Sequence, residues 1–214
     1  MSILKERLRK KIEEWRPRTE KLLKDYGNVV VDQVTIAQVL GGMRGLKSLV
    51  TDISYLDPYE GIRYRGYTLP EVFEKLPRAS GAEMPYVEGL YFLMLTGDMP
   101  TEQEVADVED EFRKRRILPR YVYEVIDAFP TFSPPMAIFS AAILTMQRES
   151  FFHKKYQGGI NKAEYWEPTY EDSLNLLAKL PEIASYIYAR LYKDGKRIQA
   201  NPNLDIGANF AHMM

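Results

Sequence analysis

Segment 85–96, PYVEGLYFLMLT, is apolar on nearly every side of a helix and is followed by Gly97. A helix of that kind cannot lie on a wet surface, so it reads as a buried central helix with a glycine stop. The segments around it carry helix-start signals. Thr68-Leu69-Pro70-Glu71 and Thr101-Glu102-Gln103-Glu104 are capping boxes, in which the threonine oxygen accepts an N–H three residues on and the glutamate reaches back. Each opens an apolar-periodic stretch. Thr35 and Gln38 form another, ahead of a brief helix that ends at Gly41-Gly42. The pattern predicts an all-α, multi-helical chain with one small β-hairpin near 53–67.

Ser2 can cap a helix whose apolar stripe is Leu4, Leu8, Ile12, Trp15, Leu22 and Tyr26. Pro17 should kink or split it, and Gly27 should stop it. Residues 29–31, three valines, read as a short β-like piece. Asp57-Pro58-Tyr59-Glu60-Gly61 is a turn, because proline presets φ and glycine accepts the left-handed position. Beyond it, Ile62, Tyr64 and Gly66 fall on one strand face and Arg63, Arg65 and Tyr67 on the other. A two-stranded hairpin is marginal alone and must lie on helices.

Ser133-Pro134-Pro135 starts a later helix, along which Ala137, Ala141 and Thr145 recur every fourth residue, joined by Ser140 and Ala142. Such a flat face suits close packing within the chain and suits a symmetric dimer equally well. A long helix over 168–193 carries Leu174, Leu177, Ile183, Ile187 and Leu191, and Pro181 should bend it. In the last segment, 204–214, Phe210, Met213 and Met214 begin a further apolar face with no stop signal, as though the chain were cut in mid-element.

Composition narrows the chemistry. The 214 residues contain no cysteine, which removes disulfides, thiolate metal sites and cysteine nucleophiles and fits a reducing compartment. The two histidines, His153 and His212, are too few for a histidine-rich metal centre. A net charge of −1 argues against nucleic acid or an anionic membrane as partner, and no apolar run approaches the roughly 20 residues that span a bilayer. No targeting segment is read at the N-terminus. The expected location is therefore cytoplasmic, with the mitochondrial matrix as the alternative.

The candidate ligand contacts lie in segment 40–67. A glycine-softened loop carries Arg44 and Lys47, and the hairpin carries Arg63 and Arg65. The loop could hold phosphates or be a plain connector. It has no Walker-type lysine-serine ending and no dinucleotide fingerprint. Arg63 and Arg65 read as ion-paired to the structure. The run Arg113-Lys114-Arg115-Arg116 ends a helix, where positive charge suits the dipole, and receives no ligand.

The ordered set of segments resembles the citrate synthase family, in its long, mitochondrial-like subtype and its N-terminal half. The resemblance is carried by GGMRGLKSLV at 41–50, DISYLDPYEGIRYRGYTLPE at 52–71 and EGLYFLMLTGDMPTEQEV at 88–105. It continues in GINKAEYWEPTYEDSLNLLAKLP at 159–181 and LDIGANFAHMM at 204–214. It implies that residues 1–214 are the N-terminal part of a large domain, with the rest of that domain and a small domain absent. It also implies a homodimer packed through helices near 136–149 and 168–193.

The family joins acetyl-CoA to oxaloacetate and releases citrate and CoA. The resemblance implies that a neutral histidine and an aspartate enolise the thioester, that a second histidine polarises the ketone, and that arginines hold the carboxylates. Those residues follow the N-F-x-x-M segment at 209–213, so no catalytic residue and no metal ligand is assigned here. The CoA thioester is a substrate, and no cofactor is expected. The resemblance gives CoA-phosphate contacts to Arg44 and to position 162, where Lys162 keeps the charge but not the bidentate fork of arginine. Pro134 stands where the family usually has histidine. The chain alone should be inactive. Alternatives are a 2-methylcitrate synthase, a citryl-CoA lyase relative, and a non-catalytic dimerising module.

Overall fold

The computed structural model describes residues 2–46 and 50–214. Helix α1 (Ile3–Tyr26) is capped by Ser2, whose hydroxyl accepts the Lys5 N–H at 3.3 Å. It runs through Pro17 without dividing, contrary to one of the two outcomes expected there. Only its start is packed: Leu4 is buried, whereas Trp15, Leu22 and Tyr26 are exposed. Residues 29–31 form no strand, because no neighbouring strand offers them hydrogen bonds, and all three valines are exposed. Helix α2 (Ile36–Leu40) follows with its Thr35–Gln38 capping box formed.

Three strands, β1 (Ser54–Asp57), β2 (Gly61–Tyr64) and β3 (Tyr67–Thr68), make an antiparallel sheet in the order β1-β2-β3. The first turn is the expected one: Asp57 Oδ1 accepts the N–H groups of Tyr59 at 2.8 Å and Glu60 at 2.9 Å, and Gly61 has φ 89°. The two-stranded expectation fails at the second turn. Tyr64 pairs with Tyr67 across Arg65 and Gly66, whose φ values are 49° and 87°. Two successive left-handed residues are what a type I′ hairpin requires. Arg65 therefore sits in a turn rather than on a strand face.

The helical body follows: α3 (Leu69–Lys75), α4 (Val87–Thr96), α5 (Glu102–Arg115), α6 (Arg120–Ala128), α7 (Pro135–Thr145), α8 (Phe151–Gln157), α9 (Trp166–Tyr192) and α10 (Ile206–Met213). The capping boxes at Thr68 and Thr101 are both formed, and Gly97 closes α4 at φ 80°. Short 3₁₀ turns cover Met146–Glu149 and Lys162–Glu164. Helix α8 was not anticipated; Asp172 on α9 anchors its start by accepting the Phe151 N–H at 2.7 Å and the Ser150 hydroxyl at 2.6 Å.

Helix α9 is shared by two cores. Leu174 and Ala178 pack with Phe92, Val108, Phe112 and Leu4. Ile183 and Ile187 pack with Val122, Ile126, Ile138 and Ala142. Pro181 lies between the two groups, where loss of one backbone N–H leaves both apolar faces intact. Full burial of one side chain such as Phe92 is worth about 2–3 kcal/mol, so these clusters dominate the stability. Lys5 ties α1 to α9 through Glu167 at 2.7 Å and Glu171 at 2.9 Å. A third cluster, Val72, Leu76 and Leu93, seats Tyr64 and Tyr67 and so fixes the sheet on the helices.

Candidate functional site

Arg44 sits on a tight turn built by α2 and three left-handed residues. Gly42, Met43 and Gly45 have φ values of 76°, 60° and 77°. A Cβ would meet nothing within 4 Å at either glycine, so the glycines serve the backbone angle rather than a close approach. The last turn of α2 holds the loop: the Met43 N–H donates to Gln38 O at 2.7 Å, and Gln38 Nε2 donates to Arg44 O at 3.4 Å. The Arg44 side chain is exposed. Lys47 lies outside the described residues.

Lys162 opens the 3₁₀ turn before α9 and is also exposed. Asn161 Oδ1 accepts the Ala163 N–H at 2.9 Å, and Arg16 from α1 donates to Ala163 O at 2.7 Å. The two candidate cations thus stand on separate loops, each held through its backbone with its charge turned outward. Exposed cations of this kind can offer hydrogen bonds to phosphate oxygens, Arg44 as a two-pronged fork and Lys162 as a point charge.

The hairpin arginines are used inside the fold. Arg63 pairs with Glu60 at 2.8 Å and donates to Gly66 O at 3.1 Å. Arg65 reaches the C-terminal carbonyls of α4, donating to Met94 O at 2.8 Å and Leu95 O at 3.2 Å, and pairs with Asp52 at 2.9 Å. It places positive charge at the negative end of the helix dipole. His212 is exposed in the last turn of α10, and His153 is half-buried in α8. Among the described residues, no three His, Asp or Glu side chains are grouped closely enough to hold a metal ion.

One concavity escaped the sequence reading. A cavity of about 260 Å³ lies where α4, α5, α9 and α10 meet the 197–206 connection. Glu88, on the first turn of α4, is fully buried in its wall. Its Oε1 accepts the Ile206 N–H at 3.0 Å, and its Oε2 has no partner among the described residues. Burial pushes the Glu88 carboxyl above the usual carboxylate range; the Ile206 N–H opposes this and the nearby Asp205 and Glu109 charges add to it. Arg197 pairs with Glu182, stacks over Tyr123 and donates to the Tyr123 hydroxyl at 2.9 Å. Burial and the Glu182 charge push the Tyr123 phenol up to about 12. The available sequence signal was a lone acid in an otherwise apolar helix, together with Arg116 at the end of a basic run.

The chain is similar to known proteins along nearly its whole length. A family model described as "Citrate synthase, C-terminal domain" matches residues 42–214. Citrate synthase, mitochondrial, from Daucus carota is 46% identical over 211 residues, covering 99% of this chain and 45% of that protein. The 2-methylcitrate synthase, mitochondrial, of Yarrowia lipolytica is 47% identical over 212 residues, covering 99% and 46%. The crystal structure of citrate synthase from Pyrobaculum aerophilum superposes with a TM-score of 0.67 at 27% identity, covering 81% of this chain and 41% of that one. The chain spans a little under half the length of the curated relatives it matches. With a family match over most of its residues and an all-α fold in common with solved members, this chain belongs to the citrate synthase family.

Proposed function

We propose that the chain is part of an acyltransferase that condenses acetyl-CoA with oxaloacetate and releases citrate and CoA. The observation that carries this reading is the 46% identity to a plant citrate synthase through 99% of the chain. In it, residues 1–214 are the N-terminal part of the large domain. Arg44 contributes a CoA-phosphate contact and Lys162 a weaker one, and the enolising base belongs to the remainder of the protein. No resident cofactor is assigned. Two arms test it. In the full-length enzyme, Arg44→Ala should raise the KM for acetyl-CoA about tenfold, as expected for a lost charge-assisted contact of about 1.4 kcal/mol, and leave that for oxaloacetate nearly unchanged. An unchanged KM would return Arg44 to a structural role. A thiol-release assay on the homogeneous 214-residue chain should show no turnover; turnover would overturn the placement of catalysis elsewhere.

The Yarrowia relative favours a second reading, in which propionyl-CoA is the acyl donor. One methylene is worth about 1–3 kcal/mol of discrimination, so the ratio of kcat/KM for propionyl-CoA and acetyl-CoA separates the two. A citryl-CoA lyase relative would instead release oxaloacetate from citryl-CoA. A non-catalytic dimerising module would show neither activity in the full-length protein. We assign a homodimer packed through the helices near 136–149 and 168–193. In support, α7 turns Ile138 and Ala142 inward and leaves Met136, Ala137, Ser140 and Leu144 exposed on its outer side. The names of the plant relatives favour the mitochondrial matrix, the alternative to a cytoplasmic location.

A further inference from the structure

Helix α10 and the 201–205 stretch before it form one unit, organised by the side chain of Asn209. Its Oδ1 accepts the Asn201 N–H at 2.8 Å, and its Nδ2 donates to Asn201 O at 2.7 Å and Leu204 O at 3.1 Å. Asp205 Oδ1 caps the helix by accepting the Ala208 N–H at 2.8 Å. Polar ties from this unit to the helical body are few. Among the described residues they are Glu88 with the Ile206 N–H at 3.0 Å, Arg116 with Asn201 O at 3.5 Å, and Ser185 with the Met213 sulfur at 3.8 Å. The second is long, and thioether sulfur is a weak acceptor, so Glu88 makes the principal tie. Asn209 and Met213 are the buried residues of α10. An element that buries so little opens more readily than the core around it.

The principal tie ends on a group that tolerates charge poorly. Glu88 is fully buried, and solvent does not reach its unpartnered Oε2. The charged groups around it are committed elsewhere. On α5, Glu109 is paired with Arg113, and Arg116 beyond its end is bonded to Asn201. Arg197 is paired with Glu182 of α9, and Asp205 caps α10. The phenols of Tyr86, just before α4, and Tyr123, on α6, complete the titratable surroundings. The Ile206 N–H and the N-terminus of α10 favour a carboxylate, but they return less than the loss of water takes from a fully buried charge. Burial accordingly holds the Glu88 carboxyl above its usual range.

We propose that Glu88 is a protonation-dependent latch: as a neutral acid it fastens α10 and the 201–205 stretch to α4, and on ionising it releases them. The proton passes to solvent, and the freed carboxylate gains water through the adjoining 260 Å³ cavity. The release is local. Phe92, Val108 and Leu174 keep α4, α5 and α9 together, and α10 adds only Ile206 at the edge of that cluster. The latch lies apart from the Arg44 turn and does not depend on the acyl-transfer reading.

The test is amide hydrogen exchange of the folded 214-residue chain across a pH series, read as protection factors so that the intrinsic pH dependence of exchange is removed. Once released, Glu88 titrates near the ordinary value of 4.5, so opening becomes easier from that pH upward and levels off where the latched carboxyl itself titrates. Protection of the α10 amides should fall by at least about tenfold over this window, the equivalent of about 1.4 kcal/mol, while that of α9 is kept. In Glu88→Gln, which stays neutral and still offers an oxygen to the Ile206 N–H, the fall should be absent. The carboxyl-carbon resonance of Glu88 in the unaltered chain should titrate where the fall levels off, which keeps the test decisive if the variant does not fold. Protection of α10 that is constant from about pH 4 to about pH 9 would overturn the proposal. An equal fall in folded Glu88→Gln, a carboxyl titration unrelated to the opening of α10, or simultaneous loss of protection in α9 would overturn it as well.

Discussion

Leu93 and Leu23 are the same side chain on two helices, yet the first is fully buried and the second is 73% exposed. Leu93 lies on α4, against Val72 and Leu76 of the segment that begins with α3. Leu23 lies on the last turns of α1, past the point where that helix leaves the body. The change happens within α1 itself: Leu4, at the start of the same helix, is 1% exposed. From Trp15 through the valines at 29–31 to Leu40, the large apolar side chains are displayed rather than packed. Amphipathic spacing and a good cap are enough to make a helix; being covered needs a partner in the right place.

The sharpest test of this contrast is the body. Phe92→Ala removes a fully buried ring from the cluster shared with α1, α5 and α9 and should cost about 3–5 kcal/mol in urea unfolding. A loss under about 1 kcal/mol would show that the body is not held as described. Next is the junction between sheet and body. Arg65→Ala strips the end of α4 of two charge-assisted donors and should cost about 2 kcal/mol. Arg65→Lys should recover only part of it, since a compact ammonium lacks the spread of the three guanidinium nitrogens that reach the two carbonyls and Asp52. Thr101→Ala, which opens the capping box of α5, should cost about 1 kcal/mol.

Glu88 adds a pH effect whose sign is the point of the measurement. Its carboxyl is raised in the fold, so above the ordinary value of 4.5 the folded chain keeps a proton that the unfolded chain has lost. Stability contributed by the protonated group is complete below that value and declines as pH rises through the folded pKa. The urea midpoint of the unaltered chain should therefore fall over this window more than that of Glu88→Gln. Parallel pH profiles would remove Glu88 as a cause. The smallest effect belongs to the arm. Leu23→Ala should change the stability of the isolated chain by less than about 0.5 kcal/mol. A cost above about 1.5 kcal/mol that grows with protein concentration would show that the exposed end of α1 is covered by a second copy.

Where the sequence reading held, the signal was local. Thr35, Thr68 and Thr101 each begin a helix where the capping box places it, and Gly97 ends α4, because cap hydrogen bonds close within three or four residues. The turn at Asp57 is legible for the same reason. The Arg65-Gly66 turn was not, since arginine in a left-handed conformation has no sequence mark, and its side chain is held there by α4, about thirty residues away. The start of α8 depends on Asp172, about twenty residues further along. The candidate site divides in the same way. The glycines and the exposed arginine of the 41–45 turn were legible, whereas Glu88 and Arg116 converge on one cavity only because α4, α5 and α10 fold together.

The sequence by itself determined the all-α class, the starts of the helices that open on capping boxes, the glycine stop of α4, the first hairpin turn and the family motifs, which rest on contacts between near neighbours. Tertiary structure alone decided which apolar stripes are covered, that one long helix serves two cores, and that a buried carboxyl group and an arginine line one pocket. Burial and charge pairing depend on what lies across the gap, and no stretch of chain specifies that on its own.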